Sequence, residues 1–193
     1  MWVKSKWFLS LKVRPDGLAY AWYEDDVMMD YDYYLRGKVM SDWEFISDMP
    51  EFLYSRIDRI KPDFVIMELE RDDQFQDLLS ELPHRILSTC AVPGIPLMII
   101  PKTEWRRLSC PRGEQLPDGE EEIKKWCISK ARDLCSVDLG IEPDLPDIVA
   151  DAILIGQAYI NESDEILKLS TSPYTIPPHE GILGFAVFDE SYL

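Results

Sequence analysis

The sequence lacks several features that mark common protein classes. No apolar run approaches the ~20 residues that a membrane-spanning helix needs, so no transmembrane segment is expected. It has no P-loop, no GxGxxG fingerprint and no pattern typical of a Ser/His/Asp or Cys/His catalytic site. Only two histidines and four cysteines occur, and no cysteines have the close spacing of a zinc site. We therefore expect free structural thiols in a cytoplasmic protein.

Basic residues are also scarce. The 193 residues include 20 Lys and Arg against 36 Asp and Glu, for a formal net charge of −16. Since phosphate contacts need Lys and Arg, this balance argues against general affinity for nucleic acid. Of the segments 1–100, 101–132 and 133–193, only 101–132 has a basic excess, and 133–193 is strongly acidic. Charge alone also allows a DNA-mimicking inhibitor.

The chain alternates strand patterns with helix patterns. Strands are predicted, with a turn at Arg14–Gly17, over Trp7–Val13, Leu18–Tyr23, Tyr31–Val39, Phe64–Met67 and Ile95–Ile100. Helices are predicted from an Asp48 N-cap to Ile60, over 71–91, over Glu120–Cys135 and over Asp147–Ile160, with a loop at 101–118 and a linker at 136–146. This order predicts an α/β mixed sheet that has an antiparallel hairpin side and flanking helices.

We expect residues 1–163 to form one domain. Residues 164–193 are interpreted as a C-terminal extension whose apolar stretch, Gly181–Phe188, forms a β-hairpin that packs on the same domain.

Three carboxylates lie where a metal site is plausible. Glu68 ends an apolar strand (KPDFVIMEL), and Asp147 and Asp151 lie one turn apart at the start of a helix (DIVADAILIG). Carboxylate oxygens are the ligands that Mg²⁺ prefers. Each residue also has a simpler interpretation: Glu68 as solvated surface, Asp147 as an N-cap, and Asp151 as a buried polar group with a protein partner.

Two further segments, IPLMIIPKTEWRR and EIKKWCISKARD, lie between the strand that ends at Glu68 and the helix that begins at Asp147. In this order the four elements resemble those of the RuvC-like Holliday-junction resolvases of the RNase H-like superfamily. The likeness covers roughly residues 8–160. It implies an RNase H-like (RuvC-like) fold, a branched-DNA substrate, a homodimer, and Mg²⁺ or Mn²⁺ held by Glu68, Asp147 and Asp151.

The first strand departs from this family. The family carries an aspartate in its first strand, in a pattern like IGIDPG. The corresponding stretch here is LSLKVRPDG, in which Lys12 occupies the position of that aspartate. An ammonium group there would repel a dication. The late helix also differs, because the family spaces its two ligands three residues apart and Ile148 occupies that position. We hypothesise that Lys12 forms a salt bridge with Glu68 or Asp151. Asp16, in the following turn, is the candidate to compensate for the missing aspartate.

The basic stretch offers a candidate DNA-facing patch. It comprises Trp105 for stacking and the cations Arg106, Arg107, Lys124 and Lys125. Because six acidic residues are interleaved with the basic ones, an ordinary solvated face is an equal alternative.

Three functions follow from these observations. The first is a catalytically degraded resolvase relative, a structural or protein-binding subunit whose acidic surface meets a basic protein. The second is an active Mg²⁺- or Mn²⁺-dependent endonuclease acting on branched DNA. The acidic DNA mimic is the third. The first two differ in whether the carboxylates hold a metal ion.

Overall fold

The described residues fold around a five-stranded mixed sheet. The computed structural model describes residues 6–68, 81–91, 93–111, 114–135 and 145–169. The sheet order is β3-β2-β1-β4-β5, in which β1 pairs antiparallel with β2 and parallel with β4. The strands are β1 (Trp7–Arg14), β2 (Gly17–Glu24), β3 (Val27–Leu35), β4 (Phe64–Glu68) and β5 (Leu97–Ile99). The helices are α1 (Asp42–Ile60), α2 (Leu82–Ala91), α3 (Lys102–Ser109), α4 (Glu120–Cys135) and α5 (Asp147–Leu169). This arrangement confirms the predicted α/β class and its antiparallel side.

Alternation along β1 divides the core into two layers. Leu9, Leu11 and Val13 belong to the cluster that packs with α1 and α2. Phe8 belongs to the cluster on the opposite face, which α3, α4 and α5 cover. Because successive strand side chains point to opposite faces, Lys12 projects toward the α5 side.

Helix α5 approaches the sheet closely at Gly156. A Cβ atom at this position would lie 2.2 Å from the Tyr23 ring on β2. The Tyr23 hydroxyl donates a hydrogen bond of 2.6 Å to the carbonyl of Ile153. The lack of a side chain at Gly156 thus lets α5 lie against β1 and β2, and this fixes the height of Asp151 above the sheet.

Several predicted boundaries were wrong. Helix α1 begins at Asp42 rather than after Asp48, because Ser41 and Glu44 form a capping box, and Pro50 lies inside the helix. Residues 102–109 form α3 rather than a loop, since Trp105 and Leu108 bury an apolar face. Strand β3 begins at Val27 and ends at Leu35, four residues earlier at each end than predicted.

Helix α5 extends past the expected end of the first domain. Helix α5 continues to Leu169, so the predicted boundary at 163/164 falls inside a helix. The predicted hairpin Gly181–Phe188, the linker at 136–144 and the helical pattern at 71–80 lie outside the described residues. Among the described helices, none has the length and apolar character needed to cross a membrane.

Candidate functional site

Lys12 and Glu68 form the centre of the site. They lie opposite each other on the neighbouring parallel strands β1 and β4. Lys12 is 1% exposed and Glu68 is 0% exposed. The Lys12 Nζ lies 2.7 Å from Glu68 Oε1, which is the salt bridge hypothesised from the sequence. A buried ammonium therefore lies against the carboxylate that was expected to hold a metal.

Trp105 engages the second oxygen of the same carboxylate. Its indole Nε1 donates a hydrogen bond of 2.5 Å to Glu68 Oε2. Trp105 is fully buried on α3. Both Glu68 oxygens thus accept hydrogen bonds from protein donors, and the contact ties α3 to the end of β4.

Asp151 approaches the same ammonium from α5. Its Oδ2 lies 3.9 Å from Lys12 Nζ, and its side chain is 14% exposed. Burial raises the pKa of Asp151 to about 6, and the nearby Glu68 charge adds to the rise, while Lys12 opposes it. Lys12 thus faces one carboxylate in direct contact and a second whose ionised form is disfavoured.

Asp147 is bound by two other cations. Arg14 donates to both of its oxygens, at 2.9 and 3.2 Å, and Lys124 Nζ lies 2.8 Å from Oδ2. Partial burial alone would raise the pKa of Asp147, but hydrogen bonds from Arg14 and Lys124 hold it well below its usual value. Asp16 lies in the turn, where it pairs with Arg14 at 3.0 Å.

Arg14 is the site residue that sequence reasoning missed. It was interpreted only as the start of the RPDG turn. Arg14 lies two positions after Lys12 on β1, so the two side chains share a face of the sheet. That spacing was the available signal, and it places two cations beneath the start of α5.

The arrangement does not fit a pair of magnesium ions. Two-metal hydrolysis needs carboxylate oxygens free to bind dications about 4 Å apart. Glu68 is occupied by Lys12 and Trp105, and Asp147 by Arg14 and Lys124. Within the part of the chain that the structure describes, no group of three or more His, Cys, Asp and Glu side chains is arranged to hold a metal. A dication would have to displace a buried cation.

The predicted DNA-facing residues do not form one free basic patch. Trp105 is a core residue, and its buried ring cannot stack on a base in this conformation. Each of the four cations has an acidic partner: Arg106 pairs with Glu120, Arg107 with Glu104, Lys124 with Asp147 and Lys125 with Glu122. Phosphate groups would have to compete with these carboxylates.

Comparison with solved structures gives the fold class. The chain is similar to RuvC of Thermus thermophilus in complex with a Holliday-junction substrate, with a TM-score of 0.60, 11% identity, and coverage of 83% of this chain and 96% of that one. It is similar to the yeast mitochondrial Holliday-junction resolvase at a TM-score of 0.51 and 10% identity, covering 83% and 80% of the two chains. It is also similar to the fowlpox virus resolvase bound to Holliday-junction DNA, with a TM-score of 0.50, 18% identity and coverage of 81% and 99%.

These similarities establish a RuvC-like, RNase H-like fold. No family model matches the chain, and no curated protein matches it in sequence. The likeness that these comparisons show is therefore one of fold. It agrees with the fold that the resemblance in the sequence implied.

Proposed function

We propose that this protein is a RuvC-fold subunit that does not cleave DNA and acts by binding a protein partner. One observation carries the proposal: the buried Lys12 ammonium lies 2.7 Å from Glu68 and 3.9 Å from Asp151. In this position the side chain replaces a metal cation as the charge that balances the carboxylates.

Lys12 is more stable inside the site than displaced from it. If a dication displaced it, the ammonium would need another partner or a path to water, and a buried unpaired charge is costly. Carboxylates alone attract dications, but a fixed ammonium repels them at short range. Lys12 thus acts both as a structural counter-charge and as a barrier to metal binding.

The charge distribution supports a protein partner with a basic surface. The net charge is −16, and the cations of α3 and α4 named above already have acidic partners. A partner rich in Lys and Arg complements such a surface, whereas a DNA backbone is repelled by it.

Cleavage of a synthetic four-way DNA junction in Mg²⁺ and in Mn²⁺ tests the proposal. We expect no cutting by the folded wild-type protein, and no change on Glu68→Ala or Asp151→Ala. An active RuvC-type resolvase, assayed in parallel, controls for the substrate and buffers. A gel-shift assay at low salt with the same junction then tests for binding without cutting. Metal-dependent cutting that both substitutions abolish would overturn the proposal.

An active endonuclease is the second candidate. The convergence of Glu68 and Asp151 on one point favours it, as does the similarity to resolvases solved with junction DNA. It requires Lys12 to turn away, so that Glu68, Asp147 and Asp151 hold Mg²⁺ or Mn²⁺ with help from Asp16. A homodimer acting on branched DNA belongs to this candidate, and the junction assay distinguishes the two.

A further inference from the structure

A groove opens where the C-terminal parts of α3 and α4 meet the middle of α5. Its volume is about 490 Å³. Its lining includes the apolar side chains of Leu108, Leu134 and Leu154, and polar groups such as Lys130 and Asn161. The buried face of α4 is formed by Cys127, Ala131 and Cys135, and Leu134 lies beside it. Leu134 is 41% exposed, so the groove presents an apolar side chain that the described residues leave partly uncovered.

The C-terminal segment of the chain starts close to this groove. Asn161 lines it and donates a hydrogen bond of 3.2 Å to the carbonyl of Leu108. Helix α5 ends at Leu169, which at 1.5 Å per residue lies only about 12 Å further along the axis. Residues 170–193 follow. An eleven-residue connection, 170–180, spans up to roughly 36 Å when extended. Residues 181–188 can therefore return to the groove.

The composition of 181–188 matches the apolar side of the groove at Leu134, which is the exposed leucine of the lining, beside the charged Lys130 and Asp133. The stretch reads GILGFAVF and carries no charge, whereas acidic residues flank it at Glu180, Asp189 and Glu190. An uncharged apolar stretch of this kind gains free energy by leaving water. Attachment to α5 gives it an effective concentration in the millimolar range, well above that of a second copy in dilute solution. We propose that residues 181–188 dock in the groove between α3, α4 and α5 of their own chain.

Cross-linking to a native cysteine tests the proposal directly. Cys110 lines the groove at intermediate exposure, while Cys90, Cys127 and Cys135 are buried. Single cysteines are introduced into the full-length protein as Phe185→Cys, Ala186→Cys, Val187→Cys and Phe188→Cys, and the protein is oxidised at low micromolar concentration. We expect at least one to form a disulfide with Cys110 within one chain, seen as a monomer on a non-reducing gel and located by peptide mass spectrometry. A Cys110→Ser background controls for other thiols.

The alternative results are distinct. A cross-linked dimer would show that the segment reaches a second copy, and failure at all four positions would show that it does not occupy the groove. Either result overturns the proposal.

A groove variant adds an independent readout. Leu134→Asp places a charge on the exposed apolar side of the groove and should lower the cross-linking yield at least fivefold, with an unchanged circular dichroism spectrum. Ser129→Asp, on the same helix but outside the lining, serves as the matched control. An equal yield in the two variants would contradict docking at Leu134.

Discussion

Lys12 and Glu68 occupy directly paired positions on two adjacent parallel strands, and their side chains meet as a buried ion pair of 2.7 Å. Pairing in the sheet sets the distance between the two backbones, so the contact depends on strand register rather than on a flexible surface geometry. The indole of Trp105 completes the set of donors to Glu68. The site therefore has a rigid internal cation, and the predictions below follow from its burial.

Removal of the Lys12 charge is expected to destabilise the fold strongly. Lys12→Met leaves Glu68 buried without its counter-charge, which should lower the free energy of unfolding by about 3–5 kcal/mol. Urea denaturation measures this change. The matched control is Lys125→Met, because Lys125 also lies 2.7 Å from a glutamate, Glu122, but is exposed. That control should cost far less, because solvent screens an exposed ion pair. Equal, small losses in both variants would contradict a structural role for Lys12.

A double substitution separates the contribution of the ion pair from the cost of leaving one charge buried alone. In Lys12→Met with Glu68→Gln, neither buried charge remains, so we expect the double variant to be more stable than Lys12→Met alone. A double variant less stable than the single one would show that the pair has another function in folding.

Trp105 should be energetically coupled to Glu68. Trp105→Phe keeps most of the ring but removes the Nε1 donor, at an expected cost of about 1.5–3 kcal/mol for a hydrogen bond to a charged group. In a double-mutant cycle with Glu68→Met, which removes the acceptor, the double variant should lose less stability than the sum of the two single losses, with a coupling of about 1 kcal/mol or more. Additive losses, measured by urea denaturation, would show that the hydrogen bond contributes nothing in solution.

Stability should depend on pH through Asp151. Burial raises its pKa from 3.8 to about 6, so between these values the folded state holds more protons than the unfolded state. Its contribution to stability therefore falls as the pH rises from about 4 to about 6. Asp151→Asn lacks this titration. Relative to wild type, the variant should gain about 3 kcal/mol of unfolding free energy between pH 3.5 and pH 7.

Asp147 provides a control of opposite sign for this pH series. Its pKa is lowered in the folded state, so its stabilising contribution is present above its ordinary pKa and is lost on acidification. Relative to wild type, Asp147→Asn should therefore lose stability as the pH rises. If both asparagine variants shifted in the same direction, the assigned pKa changes would be wrong.

Gly156→Ala tests the packing that sets the position of Asp151. Helix propensity alone favours alanine by about 1 kcal/mol. The added Cβ would lie 2.2 Å from the buried Tyr23 ring, which is anchored by its hydroxyl. We expect a net loss of about 1–3 kcal/mol, measured by thermal or urea unfolding. A more stable Gly156→Ala variant would contradict the close approach of α5.

The sequence was informative where a local pattern determines structure. The continuous apolar run before Glu68 predicted a strand with a carboxylate at its end, and the apolar context of Asp151 indicated either a site role or a buried polar partner. The family pattern around the first strand placed Lys12 beside these residues, and the structure contains the resulting ion pair. Register between β1 and β4 then follows from burial of both strands.

Other parts of the site depend on contacts between distant segments. Arg14 and Asp147 are 133 positions apart, and no local pattern shows that a turn residue will meet a helix start. Helix α3 was missed for a similar reason, because Trp105 is buried through Glu68 and the surrounding core rather than through local apolar periodicity. Arg14 was interpreted as a turn residue because it begins the RPDG turn, and residues 101–118 were interpreted as a loop because they contain Pro and Gly.

Titration with Mn²⁺ decides whether Lys12 or a dication occupies the carboxylate site. Isothermal titration of the wild type at pH 7.5 is compared with titration of Glu68→Ala and Asp151→Ala, so that diffuse binding to an acidic surface cancels. We expect the same weak binding in all three proteins, because Lys12 already pairs with Glu68 and its ammonium repels a dication beside Asp151. Saturable binding to the wild type that both substitutions abolish would contradict it and would make the site a metal centre.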